Sequence, residues 1–93
     1  MVVSIITVKL HAPWVHSLKE KRAIVKGLMG RLSNKFNVSV IESDAQDVHQ
    51  TIIISIAFLA ANQGLADSID ETICNFIEAN TDAELIGLQS ERR

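Results

Sequence analysis

Apolar and polar side chains alternate from the first residues of the chain, with the period of two that a β-strand imposes. In residues 2–10 one face is mostly apolar and the other is mixed. The mostly apolar face is formed by Val2, Ser4, Ile6, Val8 and Leu10. The sequence therefore predicts a first strand here, with one face packed against a core.

A helical pattern follows after a short loop. Ser17, with Glu20 three residues later, matches a capping box, so a first helix should begin near Leu18. Apolar residues then recur along one stripe, at the spacing of an amphipathic helix. The stripe consists of Leu18, Val25, Leu28, Met29, Leu32 and Phe36. This face of the helix should pack against the sheet.

The rest of the chain predicts a hairpin, a second helix and a last strand. Residues 38–41 alternate, residues 43–47 are typical of a polar turn, and an apolar strand starts near Thr51. Asn62 is placed to cap the second helix, and residues 82–90 form a weaker final strand. The element order is therefore strand, helix, strand, strand, helix, strand.

This order corresponds to one α+β domain spanning residues 1–93. Two helices and a four-stranded antiparallel sheet pack most simply as two layers, with both helices on one sheet face. We therefore predict a ferredoxin-like βαββαβ two-layer sandwich. The last three residues, 91–93, are expected to form a flexible tail.

The sheet face away from the helices has no predicted cover. The strand residues expected on it are largely apolar: Ile5, Thr7, Ile41, Ile53, Ala57 and Leu59. Because exposed apolar surface of this kind usually marks association, we predict a homo-oligomer, with a dimer favoured, through this face or a neighbouring edge. The interface candidates are Ile5, Trp14, Ile53 and Leu59. A shifted register, or a C-terminal tail that covers the face, is the alternative.

Composition is that of a folded protein. An apolar fraction of 47% and a net charge of −2 exclude a disordered chain. The apolar run at residues 52–61 has about half the length of a membrane-crossing helix, so no membrane partner is expected. No secretory leader precedes the first strand, and a cytoplasmic location is the expectation. The one cysteine, Cys74, excludes an internal disulfide.

Charge is distributed unevenly along the chain. Up to Phe36 there are seven Lys or Arg residues and one acid, whereas the remainder holds ten acids and two arginines. Lys19, Arg22 and Lys26 share one sector of the first helix and predict a basic patch for RNA or a ribosome-associated protein. A merely solvated face is the alternative, because the chain is acidic overall. Base stacking on the sheet is disfavoured, since alternation places Phe58, the one aromatic of its strand, in the core.

One lysine of the first helix differs from the others in its position. Lys21 lies at the angle of the apolar stripe, while Glu42 shares strand parity with Val38 and Val40. Both side chains should point between helix and sheet, so we predict a partly buried Lys21–Glu42 ion pair, with Asp44 as the alternative partner. Such a pair is expected to fix packing rather than to do chemistry. Alternatively, Lys21 extends to the surface and joins the basic patch.

The loop before the first helix carries further candidate chemistry. His11 and His16 bracket it, and the free backbone N–H groups beside Ser17 offer a docking point for an anion. No metal site is predicted, because no carboxylate or thiol lies nearby and His49 would have to come from another strand. Trp14 is expected to anchor the loop or an interface. No cofactor is expected.

Three segments together resemble the YlxP-like family of small, uncharacterised bacterial proteins. They are the Ser-Leu-Lys-Glu-Lys-Arg helix start at residues 17–22, residues 36–47, and the Ile/Ala-rich strand that follows. The resemblance implies a ferredoxin-like fold. Genes of the family often lie near genes for translation initiation and ribosome maturation, and no activity is established for it. The loop at residues 11–16 departs from the smaller Pro-Gly turn of related sequences, so a site on it would be particular to this chain.

Enzymatic activity is the least supported class of function. Acylphosphatases share the ferredoxin-like fold, but their Gly-rich, Arg-containing phosphate loop has no counterpart in residues 11–16. The sequence therefore predicts a non-catalytic, self-associating module whose basic first helix contacts RNA or a ribosome-linked partner. A regulatory or scaffolding dimer that binds a small ligand at its interface is the alternative. The acidic second helix can also meet a basic partner, or the first helix of another subunit.

Overall fold

The computed structural model describes all residues from Met1 to Arg93. Its elements are β1 (Val2–His11), α1 (Leu18–Lys35), β2 (Ser39–Asp44), β3 (Thr51–Ala60), α2 (Gln63–Ala79) and β4 (Glu84–Arg92). The four strands form one antiparallel sheet in the order β2-β3-β1-β4. This topology confirms the predicted ferredoxin-like α+β fold. Neither helix is long and apolar enough to cross a membrane.

The core lies between the sheet and the helices. In the central strands, alternate residues such as Val8 of β1 and Ile54 of β3 have at most 1% of their surface exposed. Leu28 of α1 and Ile73 of α2 are fully buried against them. Burial of an aliphatic side chain of this size contributes about 1.5–3 kcal/mol. Val25, Leu28 and Leu32 of the stripe predicted for the first helix are buried, so this stripe decides which face of α1 meets the sheet.

Both helices begin where the sequence predicts. The Ser17 hydroxyl accepts the backbone N–H of Glu20 at 3.1 Å, and the Asn62 side chain accepts that of Leu65 at 2.9 Å. These caps satisfy N–H groups that have no partner inside the helix. Because α1 begins at Leu18, directly after its cap Ser17, only five residues lie between β1 and this cap.

The C-terminal end differs from the expected flexible tail. β4 continues to Arg92, and Arg93 exchanges two backbone hydrogen bonds with Val3, at 2.7 and 2.8 Å. The Arg92 guanidinium forms ion pairs with Asp67 at 2.6 Å and with Asp70 at 2.8 Å, both on α2. The end of the chain is therefore held by the neighbouring strand and by α2. Sequence spacing does not reveal these contacts, because the partners lie far apart along the chain.

A buried serine joins the same cluster to the sheet. Ser4 is fully buried, donates to Oδ1 of Asp70 at 2.7 Å and accepts from Nη1 of Arg92 at 3.0 Å. Ser90 donates to Oδ2 of Asp70 at 2.9 Å and accepts from the same Nη1 at 2.8 Å. Side chains of β1, α2 and β4 thus form one polar network. This network explains why a serine occupies the otherwise apolar face of β1, since a buried hydroxyl needs hydrogen-bond partners.

Candidate functional site

The outer face of α1 carries the predicted basic patch, formed by Lys19, Arg22 and Lys26. All three residues are exposed. They are spaced three and four residues apart, so their side chains lie beside one another on the helix surface. The four ion pairs of the structure use other cations, namely Lys21, Arg92 and Arg93. The charge of the basic patch is therefore not neutralised by any carboxylate of the chain.

Lys21 of the same helix has a different role. Its side chain is fully buried, and its Nζ forms an ion pair with Oε2 of Glu42 at 2.9 Å. The same Nζ donates to the backbone carbonyls of Ala45 and Val48, the latter at 2.7 Å. Two of the three N–H donors of the ammonium thus have a carbonyl acceptor, and the contact with Glu42 is an ion pair without hydrogen-bond geometry. Lys21 therefore neither reaches the surface nor belongs to the basic patch. Its side chain forms the predicted ion pair with Glu42.

The alternative partner, Asp44, does not contact this lysine. Its Oδ1 accepts the backbone N–H of Ala45 at 2.7 Å and so stabilises the turn after β2. Ala45 is the one non-glycine residue with a positive φ, 54°. An alanine in the left-handed region is strained, and here the buried ammonium that binds its carbonyl compensates for the strain. Lys21 therefore shapes the β2–β3 loop as well as the helix–sheet contact.

The loop between β1 and α1 holds Trp14 outside the core. Ala12 and Val15 on either side of it are fully buried, whereas 43% of Trp14 is exposed. Gln50 fixes the loop through hydrogen bonds from Nε2 to the carbonyls of Pro13 at 3.0 Å and Val15 at 3.3 Å. The role of Gln50 has no signal in the sequence, because a single glutamine before a strand is unremarkable. These hydrogen bonds fix the loop and keep Trp14 outside the core.

Trp14 borders a groove between α1 and the end of α2. The groove has a volume of about 670 Å³. It is lined by Trp14, Ala23, Ile24, Gly27, Arg31, Ala79, Asn80, Thr81 and Asp82. Arg31 Nη2 donates to the carbonyl of Asn80 at 3.0 Å, which holds the guanidinium at the groove wall. Sequence reasoning did not identify Arg31 or the small residues of this groove as parts of a site.

The candidate anion site at His11, His16 and Ser17 has less structural support than the basic patch. His11 is the last residue of β1, opposite Thr51, and His16 is exposed beside the helix cap. The Ser17 hydroxyl already accepts the Glu20 N–H and lies 3.5 Å from the carboxylate of that residue. A carboxylate in this place disfavours a second anion. No group of three or more His, Cys, Asp or Glu side chains is arranged to hold a metal ion.

Cys74 lies on α2, partly buried and near two carboxylates. Burial raises the pKa of its thiol, and the carboxylates of Asp70 and Glu78 raise this pKa further. The thiolate is the nucleophilic form, so a raised pKa leaves the side chain protonated and unreactive near neutral pH. The structure therefore offers no activated cysteine for covalent chemistry.

The sheet face away from the helices, here called the open face, carries the residues that alternation places there. The strand registers put on it Ile5, Thr7, Ile41, Ile53, Ala57 and Leu59. Ile41 and Leu59 are the most exposed of these, at 61% and 64%. Three of the four interface candidates thus share one surface. Trp14, the fourth, lies in the groove on the helix side of the sheet.

The hydroxyl groups of the open face are bonded to one another. Thr7 Oγ1 and Ser55 Oγ are 3.1 Å apart, and Ser55 Oγ donates to Ser43 Oγ at 2.7 Å. These residues lie on the neighbouring strands β1, β3 and β2. Hydroxyls that already have partners lose less when water is removed from them. This row of hydroxyls across the open face therefore tolerates being covered.

Comparison with known proteins identifies the family but no activity. The family profile described as "Protein of unknown function (DUF503)" matches residues 3–90. The chain is 35% identical over 68 residues to the "Uncharacterized protein YlxP" of Bacillus subtilis (strain 168), covering 73% of this chain and 74% of that protein. Among solved structures, "De novo designed protein Foldit4" is similar with a TM-score of 0.46 and 12% identity, over 99% of this chain and 94% of that one. The chain belongs to the DUF503 family of proteins of unknown function, which confirms the YlxP-like resemblance.

Proposed function

We propose that the protein is a non-catalytic, self-associating module that contacts RNA through the basic patch of α1. The observation that carries the proposal is the set of three exposed cations, Lys19, Arg22 and Lys26, none of which is paired with a carboxylate. Unpaired cations in a row match the regular negative charge of a phosphate backbone. Ribosomal RNA, free or within a ribosomal particle, is the proposed class of partner.

The position of the cations supports RNA binding more than the net charge of the chain does. The chain has a net charge of −2, so it has no general attraction for nucleic acid. The exposed acids Glu71 and Glu78 lie on α2, whereas the cations of the patch lie on α1. Within the helical layer, a polyanion is therefore attracted to the α1 side more than to the α2 side.

We expect the affinity for RNA to fall with rising salt concentration as it does for a protein that makes three phosphate contacts. Three contacts give a slope of log K against log salt of about −2.1 to −2.7, which is a roughly 20- to 40-fold loss of affinity between about 50 and 200 mM salt. We expect the triple variant Lys19→Ala/Arg22→Ala/Lys26→Ala to lose this binding. Retention of labelled ribosomal RNA fragments on filters across a salt series measures both effects.

The matched control removes the same charge elsewhere. Lys9, Lys35 and Arg93 are exposed and lie outside the basic patch. We expect the variant Lys9→Ala/Lys35→Ala/Arg93→Ala to keep most of the affinity. Equal losses in both triple variants would mean that only net charge matters, and a wild-type protein that retains no RNA at low salt would overturn the proposed function.

Self-association is proposed through the open face, with a second copy of the chain as its occupant. The face measures four strands by about six to ten residues, or roughly 400–600 Å² at standard strand dimensions. Two such faces bury about 1,000 Å² in total, which is near the lower limit for a specific interface. A hollow of about 330 Å³ beside the exposed Leu59 gives this face relief into which an apolar side chain of the second copy fits.

The sheet edges are less suited to pairing with another chain. The register of β4 against β1 shifts between Lys9 and Leu10, and that of β2 against β3 shifts between Glu42 and Asp44. Such irregularities twist an edge and interrupt the row of free N–H and C=O groups that a new strand would need. Of the two sites of association predicted from the sequence, the open face is therefore favoured.

The substitution Leu59→Asp is expected to convert a dimer into a monomer, because it places an unpaired charge within the proposed contact. Leu65→Asp is the matched control. Leu65 is also exposed, at 45%, but lies in the first turn of α2, where a carboxylate is tolerated. Sedimentation equilibrium over a concentration series distinguishes the two states. A monomeric wild-type protein at high concentration would refute association.

A further inference from the structure

The groove beside Trp14 is continuous with the basic patch. On the surface of α1, Lys19 and Lys26 lie four and three residues from Ala23, so both flank this small residue. Ala23 and Gly27 line the groove, and Arg31 stands one turn beyond them. The cations of the patch therefore lie next to the groove without lining it, and the guanidinium of Arg31 lies inside it, beside Gly27.

Trp14 offers an aromatic surface that is already in place. Its neighbours Ala12 and Val15 are fully buried, and Gln50 bonds to the carbonyls of Pro13 and Val15. The backbone on either side of Trp14 is thus fixed, so the residue is positioned at the groove before any ligand arrives. Because the loop is already ordered, stacking of a ligand on Trp14 costs no ordering of the backbone.

We propose that the groove binds an unpaired RNA base, stacked on Trp14, while the basic patch and Arg31 contact the phosphates on either side of it. This inference rests on the proposed function and names the form of RNA that the site takes. Proteins that bind single strands combine a basic track with aromatic stacking surfaces, and every base has a π-face for such stacking. Bases within a duplex are paired and stacked on each other, so they cannot enter the groove.

The groove suits this ligand in size and in chemistry. Its volume of about 670 Å³ lies within the usual range for small-ligand sites. Arg31 uses one hydrogen bond for Asn80, so most of its five N–H donors remain for a phosphate or a base carbonyl. Asn80, Thr81 and Asp82 provide polar groups along the opposite wall. Ala23 contributes only a methyl group to the floor, and Arg31 Nη1 lies over Gly27, 3.4 Å from where a Cβ would stand, so the guanidinium is placed to meet a ring bound there.

The chain carries its own reporter for the test. It contains one tryptophan and no tyrosine, so its near-ultraviolet emission comes from Trp14. Titration with single-stranded oligouridylate or oligoadenylate of about eight nucleotides is expected to quench this emission, whereas a closed duplex of equal charge is expected to quench it much less. The affinity for the same RNAs is measured in parallel by fluorescence anisotropy of an end label.

Two independent variants examine the groove. Trp14→Ala is expected to weaken single-strand binding by roughly 5- to 150-fold, the range for one lost stacking contact, and to leave duplex binding unchanged. Trp14→Phe should restore most of the affinity. Gly27→Leu should fill the groove and weaken single-strand binding as well. A Cβ at position 27 meets only Arg31 Nη1, at 3.4 Å, and leucine favours helix, so this variant is expected to fold.

The outcomes separate this inference from the proposed function. If single strands bind in a salt-dependent manner through the basic patch, but emission and affinity do not respond to Trp14 or Gly27, the stacking site is wrong and RNA binding stands. If duplex RNA binds as tightly as single strands, the inference is also overturned. If no RNA binds to the wild-type protein at low salt, both proposals fail.

Discussion

Lys21→Met is expected to lower the free energy of unfolding by about 3–5 kcal/mol, the cost of removing one partner of a buried ion pair. The substitution leaves the carboxylate of Glu42 without its counter-charge and deprives the carbonyls of Ala45 and Val48 of their donor. Methionine has a similar length, so packing changes little and the effect isolates the lost polar contacts. Urea denaturation followed by circular dichroism measures the change.

Lys19→Met provides the matched control on the same helix. Lys19 is exposed and makes no ion pair, so its substitution should change stability by less than about 0.5 kcal/mol. In the double variant Lys21→Met/Glu42→Leu no charge is left unpaired, and we expect it to regain part of the lost stability. A loss below about 1 kcal/mol in Lys21→Met would show that water reaches the site and that the lysine is not needed there.

Arg92→Ala is expected to lower the free energy of unfolding by about 2–3 kcal/mol, because it removes charge-assisted hydrogen bonds from several partners at once. Asp67 and Asp70 lose their ion pairs, and the fully buried Ser4 loses a donor. Thermal and urea unfolding report the loss. Because the network joins α2 to the β1–β4 pair, faster hydrogen exchange of the backbone N–H groups of β4 should accompany it.

The neighbouring Arg93→Ala is the control for this prediction. Arg93 is exposed and pairs only with Glu91, which is also exposed. Exposed pairs contribute little, so the expected change is below about 0.5 kcal/mol. If both substitutions had equally small effects, the C-terminal residues would behave as the flexible tail that the sequence predicts.

Periodicity and local motifs were sufficient to predict the fold. The alternation in β1 and β3 and the caps at Ser17 and Asn62 are local signals, and the elements begin close to where these signals place them. The position of Lys21 was also predictable, because helical angle and strand parity together pointed it at Glu42. In each of these cases the signal lies within a few turns of one helix or a few residues of one strand.

The contacts that sequence reasoning missed are long-range. Arg92 meets Ser4 across 88 residues, and Gln50 meets Pro13 across 37. Such pairs depend on sheet order and loop shape, which the residue pattern does not encode. The groove was missed for the same reason, since Trp14 and Arg31 come together only when the end of α2 packs beside α1.

Because both helices lie on one side of the sheet, a dimer would present two RNA-binding surfaces. A dimer joined through its open faces would have four layers, with the helices outermost and two basic patches facing opposite directions, roughly 40 Å apart. One long RNA could loop around such a particle, or two RNA segments could be bridged by it. Tethering of this kind raises apparent affinity by about 10²- to 10⁴-fold without any new contact. Three cations on each copy would then suffice for firm attachment to a large RNA particle, while short RNA fragments would dissociate readily.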